Sequence, residues 1–538
     1  MQFARKIGLL ALWPALILVA RQAEWSFAPV LPSLCALSLV FVFRSALLGL
    51  TGGALAGALL LSPAAWAAPL FLLSDLLLPA LQSRWNLCVL MFTLIMGGFV
   101  GLLNSGGGIS TLVHRLTAGA KQGSRRMEWI TYGLGFGCFF DGLANSMLVG
   151  STMRPVYDRT GSSRTRLAYI VDSTSSPVAC VALFSTWIAY QLSMIQEGLS
   201  AAQIEANPYS MFLSALPGNY YCWFTLVLVA IVIHRRWNPG AAAGRPAGRD
   251  PAISDDSNQI IANTHTAGLH TVWIPLLFLV VMLPASLWWS GAQALKGQLN
   301  VRWVDTFAAA DTALMLVLVG LSSSLVATLV YPRNAPQASG AAFIRGMERL
   351  LAPTLILIAA WALSGSLKQL DAAAWIADLL SGAVPAWLLP ALVFLTGATI
   401  SFLTGTSWGT MGILIPLVIP LAATMGGMSD IGGTAATPCA LSVSVLAAAF
   451  SGAVFGDHCS PISDTTIVSS LASGVAPFEH VRTQLPFALI AAGFAVFPGF
   501  ILAGWTGQLW PGLLAGLLGL TLLWTVLGRK KAALPPAR

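Results

Sequence analysis

Apolar residues fill this chain in long stretches, and polar positions interrupt those stretches without alternating inside them. FAPVLPSLCALSLVFVF and TVWIPLLFLVVMLPASLWW are apolar on every face, whereas a barrel strand alternates apolar and polar with a period of two. An α-helix needs about 20 such residues to cross the roughly 30 Å hydrocarbon layer. Apolar windows fall near 7-20, 27-43, 46-62, 64-80, 86-103, 129-150, 168-190, 211-233, 272-290, 307-331, 351-366, 384-402, 411-424, 440-456, 484-504 and 508-527. Several are too short to cross alone. Those with Gly and polar residues, 129-150 and 411-424 above all, read as broken helices or re-entrant hairpins, because non-helical backbone is tolerated in membranes only inside protein. The pattern predicts an all-α polytopic membrane protein of about 12 transmembrane helices.

Composition removes the soluble alternatives. Of 538 residues, 56% are hydrophobic and 9% charged, against roughly 25% charged in soluble domains, and the mean hydropathy is +0.77. The net charge of +8 comes from basic residues in short loops; they form no stripe, so nucleic acid is not an expected partner. The seven cysteines lie mostly in apolar stretches without CxxC spacing, which predicts neither disulfides nor a zinc site. NSGGGIS at 104-110 lacks the GK[ST] of a nucleotide-binding loop, so no ATPase motor is expected. No nucleophile-base pair argues for an enzyme, and no cofactor is expected.

One long polar stretch, 234-271, carries Arg235, Arg236, Arg245 and Arg249 beside Asp250, Asp255 and Asp256, and reads as a flexible linker. With Arg5-Lys6 near the start and Arg529-Lys530-Lys531 near the end, it puts both termini in the cytoplasm by the positive-inside rule. The expected location is a bacterial-type inner membrane. The division is N-terminal spans 1-85, a first repeat 86-233, the linker 234-271, connecting spans 272-344, a second repeat 345-505, and a last span with a basic tail, 506-538.

The repeats rest on three pairings: GLLNSGGG at 101-108 with WALSGSLK at 361-368, DGLANSM at 141-147 with TGTSWGT at 404-410, and DSTSS at 172-176 with DTTIVSS at 464-470. Arg115, Lys121, Arg125 and Arg126 precede the first middle copy and Arg154, Arg159, Arg164 and Arg166 follow it, while the second has almost no basic flank. That asymmetry is expected of the same unit inserted upside down.

An intramembrane carboxylate costs about 2.5 to 3.5 kcal/mol on insertion scales, which makes it a functional candidate by default. The densest such region, SGAVFGDHCSPISDTTIVSS at 451-470, holds Asp457, His458, Ser460, Pro461, Asp464 and Thr465. Pro461 cannot continue a helix, so the backbone is expected to open there beside two acids and several hydroxyls. Oxygen ligands of this kind suit hard cations. Asp172 and Ser173 stand before Pro177 in YIVDSTSSPVACVA, and FFDGLANSM supplies Asp141 and Asn145, which would share a helix face. Thr406 and Ser407 join by repeat symmetry. His458-Cys459 without a second His/Cys cluster does not make a transition-metal site.

GDHCSPISDTTIVSS at 456-470, FFDGLANSMLVGSTMRP at 139-155 and LAYIVDSTSSPVA at 167-179 together resemble the NhaC-type sodium/proton antiporter family, over roughly residues 85-505. The resemblance implies inverted repeats with broken helices, and exchange of sodium ions for protons. It also admits exchangers of small organic acids. Its motif positions carry over to Asp141, Asn145, Asp172, Ser173, Asp457, Ser460, Asp464 and Thr465. Asp457 and Asp464 are then the expected centre at which sodium and protons compete. The expected partners are the lipid bilayer, monovalent cations and protons, with a homodimer allowed.

Overall fold

The computed structural model describes residues 2-43, 45-117, 125-235, 237, 267-296, 306-307, 309-333, 338-380, 384-426 and 440-532. The N-terminal block is α1 (Gln2–Gln22), α2 (Leu31–Phe43), α3 (Ala46–Leu61) and an irregular helix α4 (Ala65–Gln82). Next come α5 (Arg84–Ser105), α6 (Gly108–Thr117), α7 (Arg125–Gly137), α8 (Gly142–Arg159), α9 (Arg164–Ser173), α10 (Ser176–Val181), α11 (Ile188–Ala201), α12 (Pro208–Ala215) and α13 (Tyr220–Arg235). Most of the expected linker, 238-266, lies outside the described residues. Beyond it are α14 (His270–Ala294), α15 (Thr312–Leu329), α16 (Ser339–Arg349), α17 (Leu351–Gln369), α18 (Ala372–Leu380), α19 (Leu389–Thr404), α20 (Ser407–Met425), α21 (Ala440–Cys459), α22 (Asp464–Ser473), α23 (Pro477–Phe494), α24 (Leu502–Thr506) and α25 (Leu509–Ala532).

The chain is an all-helical, multi-pass membrane protein. Among the described residues ten helices are long and apolar enough to cross, or eleven if Pro208–Gly218 and Tyr220–Arg235, bent by 46°, form one span. Two expected elements need correction. The window 168-190 is not one span, because the chain breaks after Ser173 and again after Val181. The window 411-424 is not broken either; it lies inside α20, and the interruption sits just before it. There Gly405 takes a left-handed φ of 68° and Thr406 caps α20, its hydroxyl accepting from Gly409 N at 3.2 Å. The glycines inside α20 serve close packing: a Cβ on Gly412 would sit 3.2 Å from that of Ala360.

Burial separates the inside of the bundle from its lipid face. The apolar windows of α20 and α21 are 78% buried, those of α4 and α25 only 11% and 17%. With little hydrophobic drive between helices in lipid, close backbone approach carries the association. On α21, Gly452 and Gly456 form a GxxxG face against α19; a Cβ on Gly452 would meet Phe394 O at 2.5 Å and Ala398 N at 2.9 Å. Ser401 donates to Ala453 O across the same seam at 2.6 Å. This contact fixes the end of α21, and with it Asp457.

The two segments expected to be repeats show one order of elements: α7, a break, α8, then α9 breaking into α10; and α19, a break, α20, then α21 breaking into α22. Basic residues around the first repeat are partly used inside the fold. Arg166 pairs with Glu128 at 2.7 Å, Arg164 with Asp158 at 2.7 Å, and Arg164 also reaches Gly474 O, at the C-terminus of α22, at 3.4 Å.

Candidate functional site

Asp172 lies in the last turn of α9 and Asp457 in the last turn of α21. Each helix then breaks, and a Ser-Pro pair follows, Ser176-Pro177 and Ser460-Pro461. The structural counterpart of Asp172 is therefore Asp457, not Asp464, which corrects the third sequence pairing. Asp464 opens α22 instead, with an exposed side chain. There it favours the positive end of the helix dipole.

The two ends meet. Ser176 donates to Asp457 Oδ2 at 2.9 Å, and Ser173 and His458 Nε2 are 3.0 Å apart. Asp457 receives two further hydroxyls, Ser463 on Oδ1 at 2.6 Å and Thr465 on Oδ2 at 3.2 Å. Every hydrogen bond to this buried carboxylate among the described residues is neutral. A buried charge without a counter-charge is costly. Asp457 is thus poised to take up a proton or a cation.

Asp172 is held differently. Its Oδ2 lies 3.0 Å from His480 Nε2 and accepts from Gln484 at 2.7 Å, and its Oδ1 accepts from Ser469 at 3.1 Å. The Ser469 and Ser146 hydroxyls are 2.8 Å apart, so α8, α9, α22 and α23 share one network. Gln484 additionally donates to His458 O, which ties Asp172 to the residue after Asp457. His458 Nδ1 lies 2.6 Å from the Tyr221 hydroxyl. A neutral imidazole meets both neighbours, with one nitrogen donating and the other accepting.

The other sequence candidates divide. Asn145 enters the network: its amide donates to Gly135 O at 2.9 Å and Thr174 O at 2.7 Å, tying the first break to the second. Its Oδ1, like Gln484 Oε1, is buried with no hydrogen-bond donor among the described residues. Ser173 and Thr465 belong to the site, as above. Ser460 is buried at the break, its hydroxyl accepting from Ile462 N at 3.4 Å. Asp141 caps α8, accepting from Ala144 N at 2.6 Å and from the Thr186 hydroxyl at 2.8 Å, and does not touch Asp457. Thr406 caps α20 in the corresponding place and Ser407 is buried behind it. A Cβ on Gly405 would meet Ile462 at 2.8 Å, so this break packs on the one after Asp457.

A family model described as the Na+/H+ antiporter family matches residues 178–505. The chain belongs to that family. The match takes in Asp457, Ser463, Thr465, Ser469, His480 and Gln484, while Asp141 and Asp172 precede it. An uncharacterized protein of Haemophilus influenzae is 30% identical over 90% of this chain and 92% of its own. An uncharacterized Na(+)/H(+) antiporter of the same organism is 34% identical over 26% of this chain and 27% of its own. A malate-2H(+)/Na(+)-lactate antiporter of Bacillus subtilis is 34% identical over 30% of this chain and 33% of its own. Membership in the antiporter family makes this chain a cation/proton transporter and not an enzyme.

For an antiporter-family chain, the sequence reading missed the far side of the site. His480 and Gln484 are four apart in the polar first half of α23, beside Glu479, Arg482 and Thr483, and both are fully buried. That spacing puts two polar side chains on one helix face, which was the available signal. Ser146, Ser176, Ser463 and Ser469 sit in or beside the quoted motifs, but nothing in the order of residues told which serines turn toward an acid.

Proposed function

We propose that this transporter exchanges sodium ions for protons, with Asp457 as the group on which the two compete. The observation that carries this is a buried carboxylate whose donors are three hydroxyls, from Ser176, Ser463 and Thr465. A hydroxyl has both a proton and lone pairs. It donates to the bare carboxylate, turns its oxygen toward a bound cation, or accepts from the protonated acid. The two loaded states exclude each other because the carboxylate binds a cation only when deprotonated. The unpartnered Oδ1 of Asn145 and Oε1 of Gln484 are further neutral oxygens for a hard cation. Asp172, held by His480 and Gln484, positions the break that faces Asp457 and is the second acid of the site. Exchange follows as one bundle rocks against the other around this site. Basic residues at the chain ends orient both termini toward the cytoplasm of a bacterial-type cell.

The test is proton exit from proteoliposomes on addition of sodium, with Asp457→Asn and Asp464→Asn beside the wild type. Sodium-driven proton exit that Asp457→Asn abolishes and Asp464→Asn retains is expected. Exit that survives Asp457→Asn overturns the assignment. A second reading, exchange coupled to a small organic acid, is favoured by the name of the Bacillus subtilis relative. Absence of sodium-linked proton movement together with uptake of malate or lactate would move the function there.

A further inference from the structure

Two basic runs far apart in the sequence meet at the ends of two neighbouring helices. His234 and Arg235 close α13, with Arg236 next in sequence, and Arg529-Lys530-Lys531 stands near the end of α25. The helices run side by side in one direction. Gly516 packs on the Phe224 ring, and further along the His234 and Trp524 rings lie 5.4 Å apart. Arg235 stacks over the same indole, its guanidinium carbon 5.2 Å from the ring centroid.

Neither helix carries an acid: YYCWFTLVLVAIVIHR and LWPGLLAGLLGLTLLWTVLGRKKA hold no Asp or Glu. Glu128, on the packed α7, is taken by Arg166 at 2.7 Å, and that Arg also donates to Val232 O at 3.2 Å and Trp237 O at 3.5 Å, beside the end of α13. At the start of α23, whose Phe487 meets Trp237 with ring centroids 5.7 Å apart, Glu479 and Arg482 add one charge of each sign. Among the described residues the balance of charge at this end is positive. Its outer side is a lipid face: only 17% of the apolar window of α25 is buried, and Leu518 and Leu522 are exposed on it. Position 529 follows Leu518 by eleven residues and Leu522 by seven, so it falls on that exposed face, whereas position 531, seven after Trp524, falls on the face turned to α13. A Trp at a helix end sits at the headgroup level.

We propose that the joined ends of α13 and α25 bind the headgroup of an anionic phospholipid, with Arg235, Arg529 and Lys531 as the residues that recognise its phosphate. The acyl chains of that lipid lie along Leu518 and Leu522, which brings the phosphate to the level of the basic positions. Guanidinium and ammonium groups suit phosphate oxygens, the first as a planar fork and the second as a point charge. Basic residues that only set topology act by the sum of loop charge and need no meeting of two distant runs on one Trp. The proposal is independent of which ion the protein carries.

The test titrates purified, delipidated full-length protein in detergent with dioleoyl phosphatidylglycerol and counts retained lipid by native mass spectrometry. Dioleoyl phosphatidylcholine, and inorganic phosphate at matched ionic strength, are the other probes. The variants are Arg235→Gln and the double Arg529→Gln/Lys531→Gln, which keeps the stacking on Trp524 and decides the matter if the first does not fold. Arg333→Gln/Arg345→Gln removes two exposed charges elsewhere. Expected is retention of phosphatidylglycerol by the wild type, weakened about fivefold per basic residue removed at α13 and α25 and unchanged in the Arg333/Arg345 variant. Wild-type affinity in both site variants overturns the proposal. Equal weakening in the Arg333/Arg345 variant overturns it as well, by making the attraction diffuse, and equal retention of phosphatidylcholine does so by showing that headgroup charge is not read. Displacement of the lipid by inorganic phosphate assigns the site to a free anion and overturns the lipid assignment.

Discussion

At the scale of single residues, Asp172 and Asp457 look alike in sequence and are held differently. Asp172 accepts from His480, Gln484 and Ser469, and Asp457 from hydroxyls alone. Removing the acceptor from a buried set of donors costs about 1–3 kcal/mol. Asp172→Asn is therefore expected to lower thermal stability in detergent clearly, and Asp457→Asn to leave it unchanged or raise it, since that carboxylate has no counter-charge to lose. The reverse order of melting temperatures would contradict this account. Ser463→Ala, which removes the 2.6 Å contact to Asp457, is expected to weaken apparent sodium affinity about tenfold, worth about 1.4 kcal/mol; a sodium titration of transport checks it. Sequence could name both acids because an apolar stretch makes any carboxylate conspicuous. It favoured Asp464 as the partner of Asp457 because only six residues separate them, yet the break after Cys459 starts a new helix and sends Asp464 outward.

Among the elements, the breaks matter more than the spans. The proline after Ser460 foretold the opening at 460-463, and Gly-rich polar composition foretold the one near Asp141. Composition misplaced the interruption near Thr406, because glycines in α20 are packing residues while Gly405 alone carries the left-handed turn. The α19–α21 seam holds Asp457 in place and tolerates no side chain at Gly452. Gly452→Val is expected to cost about 1–3 kcal/mol by overpacking and to reduce transport with it. Gly493→Ala, where no atom lies within 4 Å of the added Cβ, should melt at or above the wild-type temperature. Equal melting of the two variants would show that the seam does not position the site.

For the whole molecule, two acids from the two segments read as repeats come together across two helix breaks, and in the proposed mechanism protons and sodium compete for one of them. The fold class was legible from hydropathy, whereas the contribution of α23 to the site was not, since His480 and Gln484 stand among Glu479, Arg482 and Thr483 at a helix start that reads as an ordinary polar span end. Competition fixes a sign for pH dependence: below the range in which Asp457 releases its proton, apparent sodium affinity should fall by up to tenfold per pH unit, and above it the affinity should level off. The most direct test is to count protons released when sodium is added to purified protein in weakly buffered detergent solution. The account predicts sodium-dependent release in the wild type, largest at intermediate pH, and none in Asp457→Asn. Sodium binding without proton release, or undiminished release from Asp457→Asn, would contradict it.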